Sequence, residues 1–247
     1  KMKKWTRVMY QPNRPLKEGC YVTASKEHIA LSREAAAEGM VLLKNEHKLL
    51  PLKAGSRIAL FGKGSFDYVK GGGGSGDVTV SYVHNLYDGF QMLHDAVSLY
   101  EPLCDFYRAN VNEQYDQGSV PGMTTEPALS AGLLAGASAY TDTAVIVLSR
   151  FSGEGWDRSS IEYNGEYNPW ETETSMPKIS GEIFPDGDFY LTKEESAMIA
   201  QVKQHFSRIA VVLNIGGIID TSWIKNDDQI SSALIAWQGG MEGGLAT

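Results

Sequence analysis

Short apolar runs rich in β-branched residues recur along the chain and alternate with segments whose apolar residues have helical spacing. Runs of this kind predict strands buried on both faces, and alternating strands and helices predict a parallel sheet. The predicted fold class is therefore α/β, a layered α/β sandwich with a mainly parallel sheet flanked by helices. The predicted strands are Ile58–Phe61, Val97–Leu99, Ala144–Leu148, Ile209–Leu213 and Ala233–Trp237.

Capping residues mark the helices between these runs. Thr192 and Glu195 have the spacing of a capping box, and Ser25 can cap a helix whose apolar residues fall on one face as far as about Asn45. The apolar residues of that face are Ile29, Ala36, Met40 and Leu43. Further helices are predicted at Asn85–Leu93, Pro127–Ala139 and Thr192–Phe206.

The domain organisation follows from where this periodicity begins and ends. Residues 1–24 lack it and are expected to form an N-terminal arm, and residues 25–247 are expected to form one sandwich domain. After Trp237 a glycine-rich stretch has the pattern of a loop that opens a helix, so the chain is expected to be a piece of a longer protein. Glu242, at this predicted helix start, is expected to interact with the helix dipole rather than to act in catalysis.

Composition narrows the possible partners. The 247 residues include 22 Lys and Arg against 30 Asp and Glu, a formal net charge of −8, so the chain has no general attraction for nucleic acid. Residues 1–10 contain no apolar signal core, and no stretch approaches a membrane span, so a cytoplasmic protein without membrane contact is expected. Cys20 and Cys104 are far apart and the five histidines are scattered, so neither a metal nor a cofactor is expected.

A glycine-rich loop, KGGGGSGD at 70–77, follows the first predicted strand. It contains the spacing G-x-G-x-x-G, but the dinucleotide fingerprint joins a strand directly to a helix, whereas Val78–Val80 favours extended chain. A phosphate-binding loop is not supported, because Asp77 occupies the position of its lysine. Two interpretations remain: a tight crossing of backbone on backbone, or a platform beside a sugar site at which Gly73 and Ser75 contact substrate.

The segment FSGEGWDR at 151–158 follows the third predicted strand. Glu154 lies between two glycines, so its carboxyl group is carried on backbone that can turn sharply and project it outward. An aromatic ring and guanidinium groups nearby can move the pKa of a carboxyl group either way, as a general acid/base requires. Alternatively, an ion pair of Asp157 with Arg158 or Arg150 holds a loop, and Glu154 caps a neighbouring helix. The flanking residues are Arg150, Trp156, Asp157 and Arg158.

Six ordered motifs together resemble glycoside hydrolase family three, the β-glucosidase family, over residues 25–247. They resemble its α/β sandwich domain rather than its catalytic barrel, as found at the start of permuted bacterial members, where a fibronectin-type domain and a (β/α)8 barrel follow. The motifs are AAAEGMVLLKNEHKLLPL at 35–52, KGGGGSGDV at 70–78, RFSGEGWDR at 150–158, GDFYLTKEE at 187–195, VVLNIGG at 211–217 and WQGGMEGG at 237–244.

The resemblance implies a retaining β-glycosidase that acts on a β-glucoside or short oligosaccharide. In the family the Glu of the SGEG loop is the general acid/base, which matches Glu154, and the aromatic residue two positions later borders the sugar site, which matches Trp156. A barrel Asp followed by Trp is the nucleophile, and this chain contains no Asp-Trp pair. The nucleophile is therefore expected on a barrel domain of the same or another chain.

One departure from the family pattern is an insertion at 159–185. Residues 159–188, which contain the insertion, hold seven acidic residues against the single base Lys178. A loop of this length is usually functional or disordered. Either it is a solvated loop, or it forms a rim at which Trp170 or Tyr167 contacts a second sugar. The rival to an enzyme is a carbohydrate-binding or assembly module without turnover; a nucleotide-binding, flavodoxin-like domain is a weaker one.

Overall fold

The computed structural model describes residues 16–21, 24–93, 96–154 and 176–247, and in these a six-stranded sheet is flanked by helices. The strands are β1 (Leu16–Lys17), β2 (Cys20–Tyr21), β3 (Val41–Asn45), β4 (Ser56–Phe61), β5 (Val97–Leu99), β6 (Thr143–Arg150), β7 (Arg208–Ile215) and β8 (Ile230–Ile235). The α-helices are α1 (Lys26–Glu38), α2 (Leu86–Met92), α3 (Glu101–Asp116), α4 (Ala131–Tyr140), α5 (Met176–Ile183), α6 (Lys193–His205), α7 (Ser222–Lys225) and α8 (Gly243–Ala246).

The sheet has the strand order β3-β8-β7-β6-β4-β5. Every neighbouring pair from β8 to β5 is parallel, and only the edge strand β3 pairs antiparallel, with β8. The longest pairing joins β6 to β7, from Thr143 opposite Arg208 to Arg150 opposite Ile215. The predicted layered α/β sandwich with a mainly parallel sheet is therefore confirmed.

The core lies on both faces of the sheet because side chains alternate along each strand. On β6, Ile146 and Leu148 join the core on one face, which α3, α4 and α6 cover with residues such as Leu103 and Met198. Val145 and Val147 join the core on the other face, which includes Leu86 of α2. Since all eight residues of β6 are buried, the loop that follows this strand starts from the core of the domain.

The predicted strands agree with the structure to within three residues at each end, but the first predicted helix is too long. Ser25 does cap α1, accepting from the backbone N–H of His28 at 3.3 Å, yet the helix ends at Glu38 with Gly39 as its C-cap. The following residues form β3, so Met40 and Leu43 do not belong to the helix face. Glycine at a C-cap followed by a run of large apolar residues favours this change from helix to strand.

The elements that were not predicted include a long helix and a hairpin. The longest helix, α3, follows β5 with Pro102 in its first turn, a position at which proline is well tolerated. Within the predicted arm, β1 and β2 pair as a short antiparallel hairpin. Among the described residues, no helix combines the length and apolarity that crossing a membrane requires.

Glu126 is a fully buried carboxyl group between α3 and α4. Its Oε2 accepts from the backbone N–H of Lys63 at 2.9 Å and its Oε1 from the hydroxyl of Tyr107 at 2.8 Å. Burial outweighs these hydrogen bonds and raises the pKa of Glu126 to about 7. Because the pKa is higher in the folded than in the unfolded chain, the folded state holds this proton between about pH 4.5 and 7, where the unfolded state releases it.

We therefore expect the contribution of Glu126 to the free energy of unfolding to be full below about pH 4.5 and to be lost as the pH rises through 7, by on the order of 3 kcal/mol. Glu126→Gln is expected to remove this slope, so that the stability difference between variant and wild type grows in favour of the variant from pH 5 to pH 8. Urea unfolding of the chain across that range measures it. Glu113→Gln, an exposed change on α3, is the control, and a parallel pH dependence in wild type and Glu126→Gln would contradict the assignment.

Candidate functional site

Two loops run side by side at the carboxyl end of the sheet, where ligand-bearing loops of parallel sheets lie. One is the glycine-rich loop beyond β4, and the other leaves β6 at Phe151. They join through a parallel bridge between Gly73 and Gly153. The N–H of Gly73 donates to the carbonyl of Ser152 at 3.0 Å, and the N–H of Glu154 donates to the carbonyl of Gly73 at 3.2 Å. The glycine loop thus lies directly against the backbone that carries Glu154.

The close approach of these two loops requires glycine in both of them. A Cβ atom on Gly72 would lie 2.8 Å from the carbonyl oxygen of Ser152, and one on Gly153 would lie 2.8 Å from the nitrogen of Gly73. Gly74 has a φ of +83°, and its Cβ would lie 2.5 Å from that of Glu154. The interpretation of the glycine loop as a backbone crossing is therefore confirmed. Contact of Gly73 and Ser75 with a sugar stays a prediction.

The carboxyl group of Glu154 is exposed and is held by Ser75. Ser75 sits in a single 3₁₀ turn, Gly74–Gly76, and presents two donors to the same oxygen, Oε2 of Glu154. The backbone N–H donates at 3.0 Å and the hydroxyl at 2.7 Å. These hydrogen bonds favour the charged form, and they lower the pKa of Glu154, the backbone contact contributing most. The prediction that the Glu154 side chain projects outward is confirmed, while Gly155, the second glycine of the predicted turn, lies outside the described residues.

Arg150 was predicted to contact substrate, but its side chain lies in the interior of the domain. Its side chain is 1% exposed and forms a bidentate ion pair with Glu195 of α6, with both N–O distances 2.6 Å. The guanidinium also donates to the carbonyl oxygens of Ser149, Asp188 and Tyr190. A group so enclosed has no surface to offer a sugar. Arg150 therefore fastens the end of β6 to the start of α6, a correction to the predicted substrate contact.

Glu195 does more than the predicted capping box. The box with Thr192 is present, and the same carboxylate accepts both hydrogen bonds from Arg150. Burial alone would raise the pKa of Glu195, but the charge and hydrogen bonds of Arg150 lower it. The signal in the sequence was the capping box, and the partner, 45 residues earlier in the chain, had no local signal.

The described end of the insertion at 159–185 is ordered against this ion pair. Residues 176–183 form α5, and the buried ring of Phe184 lies 4.5 Å from the guanidinium carbon of Arg150. This part of the insertion is therefore packed rather than a solvated loop. Five predicted site residues lie outside the described residues, so their contacts with substrate stay predictions. They are Trp156, Asp157, Arg158, Tyr167 and Trp170.

Asn214, at the end of β7, ties the base of the glycine loop to the segment after β8. Its Oδ1 accepts from the N–H of Val69 at 2.7 Å, and its Nδ2 donates to the carbonyls of Val69 at 3.0 Å and Trp237 at 2.7 Å. In the sequence, these hydrogen bonds are indicated only by the polar residue Asn214 near the end of the apolar run of β7. Three neighbouring loops are thereby held together at one edge of the sheet.

The site offers one exposed carboxyl group on backbone that packing and hydrogen bonds fix in place. Such a group can give or take a proton, whereas a metal centre needs several converging ligands. The described residues contain no group of three or more His, Cys, Asp or Glu side chains placed to hold a metal ion. The arrangement is therefore suited to acid/base chemistry on a ligand that approaches from outside this domain.

The sequence is similar to those of known proteins. Residues 40–247 match the model of the glycosyl hydrolase family 3 C-terminal domain. The chain is 55% identical to beta-glucosidase A of Butyrivibrio fibrisolvens over 246 residues, which cover 99% of this chain and 29% of that protein. It is 31% identical to a beta-glucosidase of Ruminococcus albus over 90% of this chain and 21% of the relative.

Solved structures give the same result. Beta-glucosidase 3B from Thermotoga neapolitana in complex with α-D-glucose superposes with a TM-score of 0.72 at 30% identity, over 90% of this chain and 28% of the other. A beta-glucosidase from Paenibacillus barengoltzii gives a TM-score of 0.72 at 31% identity, over 90% of this chain and 22% of that one. The chain thus spans less than a third of the length of each of these relatives.

Proposed function

Since the chain belongs to glycosyl hydrolase family 3, we propose that it supplies the general acid/base, Glu154, of a retaining, exo-acting β-glycosidase. The proposed reaction removes terminal non-reducing β-glucosyl residues from a β-glucoside or short oligosaccharide. The observation that carries the proposal is the pair of Ser75 donors on the exposed Glu154 carboxylate. They fix an acid/base group at the carboxyl edge of the sheet, where a second domain can reach it.

Retaining hydrolysis needs a second carboxyl group about 5–5.5 Å from the first. We assign it to an Asp on a (β/α)8 barrel domain of the same or another chain. In the first step this Asp attacks the anomeric carbon while Glu154 gives its proton to the leaving oxygen. In the second step the Glu154 carboxylate takes a proton from water, and the water oxygen displaces the Asp from the sugar. The proton that leaves water restores Glu154 to its starting state.

The hydrogen bonds from Ser75 to Glu154 favour the second step and oppose the first. They favour the carboxylate, which is the form that activates water in the second step. The first step needs the protonated form, and a second carboxylate brought nearby favours it, because like charges disfavour joint ionisation. Ser75 and the barrel Asp thus pull the pKa of Glu154 in opposite directions. Trp156, Asp157, Arg158 and Trp170 complete the proposal as substrate-binding residues.

The test of the proposed function is turnover of 4-nitrophenyl β-D-glucoside by the full-length protein, with the anomer released first identified by NMR. We expect β-glucose first, and we expect turnover to depend on Glu154. Release of α-glucose first would exclude the retaining mechanism. Binding of glucose without turnover by the full-length protein would favour the alternative, a carbohydrate-binding or assembly module in which Glu154 only accepts hydrogen bonds from sugar hydroxyls.

Ser75→Ala tests the contact between Ser75 and Glu154 directly. The variant keeps the backbone donor and loses the hydroxyl donor, so the pKa of Glu154 is expected to rise. The alkaline limb of kcat/KM against pH, which reports the acid of the free enzyme, is then expected to move to higher pH. Ser138→Ala on α4 is the matched control. An alkaline limb at the wild-type pH in Ser75→Ala would show that the hydroxyl does not act on the group that titrates.

A further inference from the structure

The segment 70–84, which carries Ser75, is fastened at both ends to residues 239–244. Between these ends, residues 74–79 are all exposed, so the position of Ser75 depends on how firmly the ends are held. The hydrogen bonds at the ends are Gly240 N–H to Lys70 O at 2.8 Å, His84 N–H to Met241 O at 2.8 Å and Gly244 N–H to His84 O at 3.0 Å.

Glu242 lies at the centre of this attachment, and its side chain is 1% exposed. Its Oε1 accepts from the hydroxyl of Tyr82 at 2.6 Å, and its Oε2 accepts from Nε and Nη2 of Arg33 at 2.8 and 2.5 Å. Nδ1 of His84 lies 3.4 Å from Oε1, and the His84 ring lies 4.6 Å from that of Tyr82. One buried carboxylate thus joins α1, the C-terminal residues and the second end of the segment 70–84.

These partners keep Glu242 charged. Burial alone would raise the pKa of this carboxyl group, but the hydrogen bond from Tyr82 and the hydrogen bond and charge of Arg33 lower it. A buried carboxylate is costly when a partner is removed, so the Tyr82 hydroxyl is held firmly on Glu242. This contact was not predicted, because a position before a short helix predicts only a dipole interaction.

The two ends of the segment are held in different ways. Near the first end, Gly73 lies against Ser152 and Gly153 through the backbone bridge already described, so the approach to Ser75 from that side is fixed. On the other side, the backbone N–H groups of Asp77 and Val78 donate to the carbonyls of Gly74 and Gly76 within the turn itself. The ammonium group of Lys70 also donates to the Asp77 carboxylate at 2.6 Å and to the carbonyl of Val78 at 3.0 Å, so these contacts all stay within the segment 70–84. Tyr82 is the first side chain after the turn to be bonded to a buried group outside the segment 70–84, so it links the chain that leaves Ser75 to the interior of the domain.

We propose that Glu242 is a positioning residue for Glu154. Through Tyr82 it fixes the second end of the segment 70–84 and so holds both Ser75 donors on the Glu154 carboxylate. The inference rests on the proposed acid/base function of Glu154. It adds to that site the buried residue Glu242, which does not contact Glu154 but holds the segment that does.

The experiment is Tyr82→Phe in the full-length protein, which removes one hydroxyl and keeps the ring on His84. We expect kcat to fall roughly tenfold, as small misplacements of a reacting group cause, with a KM close to that of wild type. The alkaline limb of kcat/KM is expected to move to higher pH, in the same direction as in Ser75→Ala. Glu242→Gln is expected to move it the same way. Tyr87→Phe, which also removes a phenol hydroxyl bonded to a carboxylate, Glu101 at 3.3 Å, is the matched control with wild-type kinetics.

The double variant Ser75→Ala, Tyr82→Phe separates positioning from a general effect on the fold. If Tyr82 acts through Ser75, the second change shifts the alkaline limb little once the first is present, because the two residues share one path to Glu154. A further shift as large as that of Tyr82→Phe alone would overturn the inference. A wild-type pH profile for Tyr82→Phe would also overturn it, provided that Glu154→Gln shows the expected loss of kcat/KM. Wild-type turnover by Glu154→Gln would instead remove the proposed function on which the inference rests.

Discussion

Glu154→Gln in the full-length protein is expected to lower kcat/KM for 4-nitrophenyl β-D-glucoside by about 10²- to 10⁴-fold, the contribution typical of a positioned acid/base. The amide has the shape of the carboxyl group, and its carbonyl oxygen can still accept from Ser75, so the loop geometry is kept. The amide can neither give a proton to the leaving oxygen nor take one from water. Steady-state kinetics at the pH optimum measure the loss, and Glu113→Gln on α3 is the control for an exposed Glu.

The leaving group and added anions distinguish loss of proton transfer from loss of structure. The leaving group of a 2,4-dinitrophenyl glucoside, 2,4-dinitrophenolate, departs without a proton. We therefore expect the first step with this substrate to be much less impaired by Glu154→Gln than the first step with 4-nitrophenyl glucoside. Azide needs no general base, so it is expected to restart the second step and to yield β-glucosyl azide. Undiminished hydrolysis of both glucosides by Glu154→Gln would refute the assignment of Glu154 as the acid/base.

The sequence was sufficient to predict this part of the site because its signals are local. Glycines on both sides of Glu154 predict a turn that carries a carboxyl group outward, and the two loops follow β4 and β6, strands that end at the same edge of the sheet. The glycine loop left two interpretations open because glycines permit close approach without specifying the neighbour. Only the structure shows that the neighbour is the Ser152–Glu154 backbone.

What the sequence could not predict depends on partners far apart in the chain. Arg150 stands beside the SGEG motif and was expected at the substrate, yet Glu195 of α6 buries it. Glu242 was expected to interact only with a helix dipole, whereas Arg33, 209 residues away, reaches it. The first helix was predicted too long for a different reason: helical spacing continues past Gly39, but pairing with β8 turns Val41–Asn45 into an edge strand.

Arg150→Met is expected to lower the free energy of unfolding of the chain by about 3–5 kcal/mol, the usual cost of breaking a buried ion pair from one side. Methionine fills much of the volume, but Glu195 is left buried without its cation, and the carbonyls of Asp188 and Tyr190 lose their donors. Urea unfolding followed by tryptophan fluorescence measures the loss. Arg208→Met, at an exposed arginine at the start of β7, is expected to stay within about 0.5 kcal/mol of wild type.

The pH dependence of this loss identifies its cause. Without Arg150, burial is the main influence left on Glu195, so its pKa in the folded variant is expected to rise above that in the unfolded chain. A raised folded pKa gives stability that is present at low pH and lost as the pH rises, so the deficit of Arg150→Met is expected to be larger at pH 8 than at pH 5. Adding Glu195→Leu removes the stranded charge and is expected to recover part of the loss, while the donors lost to the carbonyls stay lost. A deficit under about 1 kcal/mol at both pH values would contradict a structural role for the pair and return Arg150 to the candidates for substrate contact.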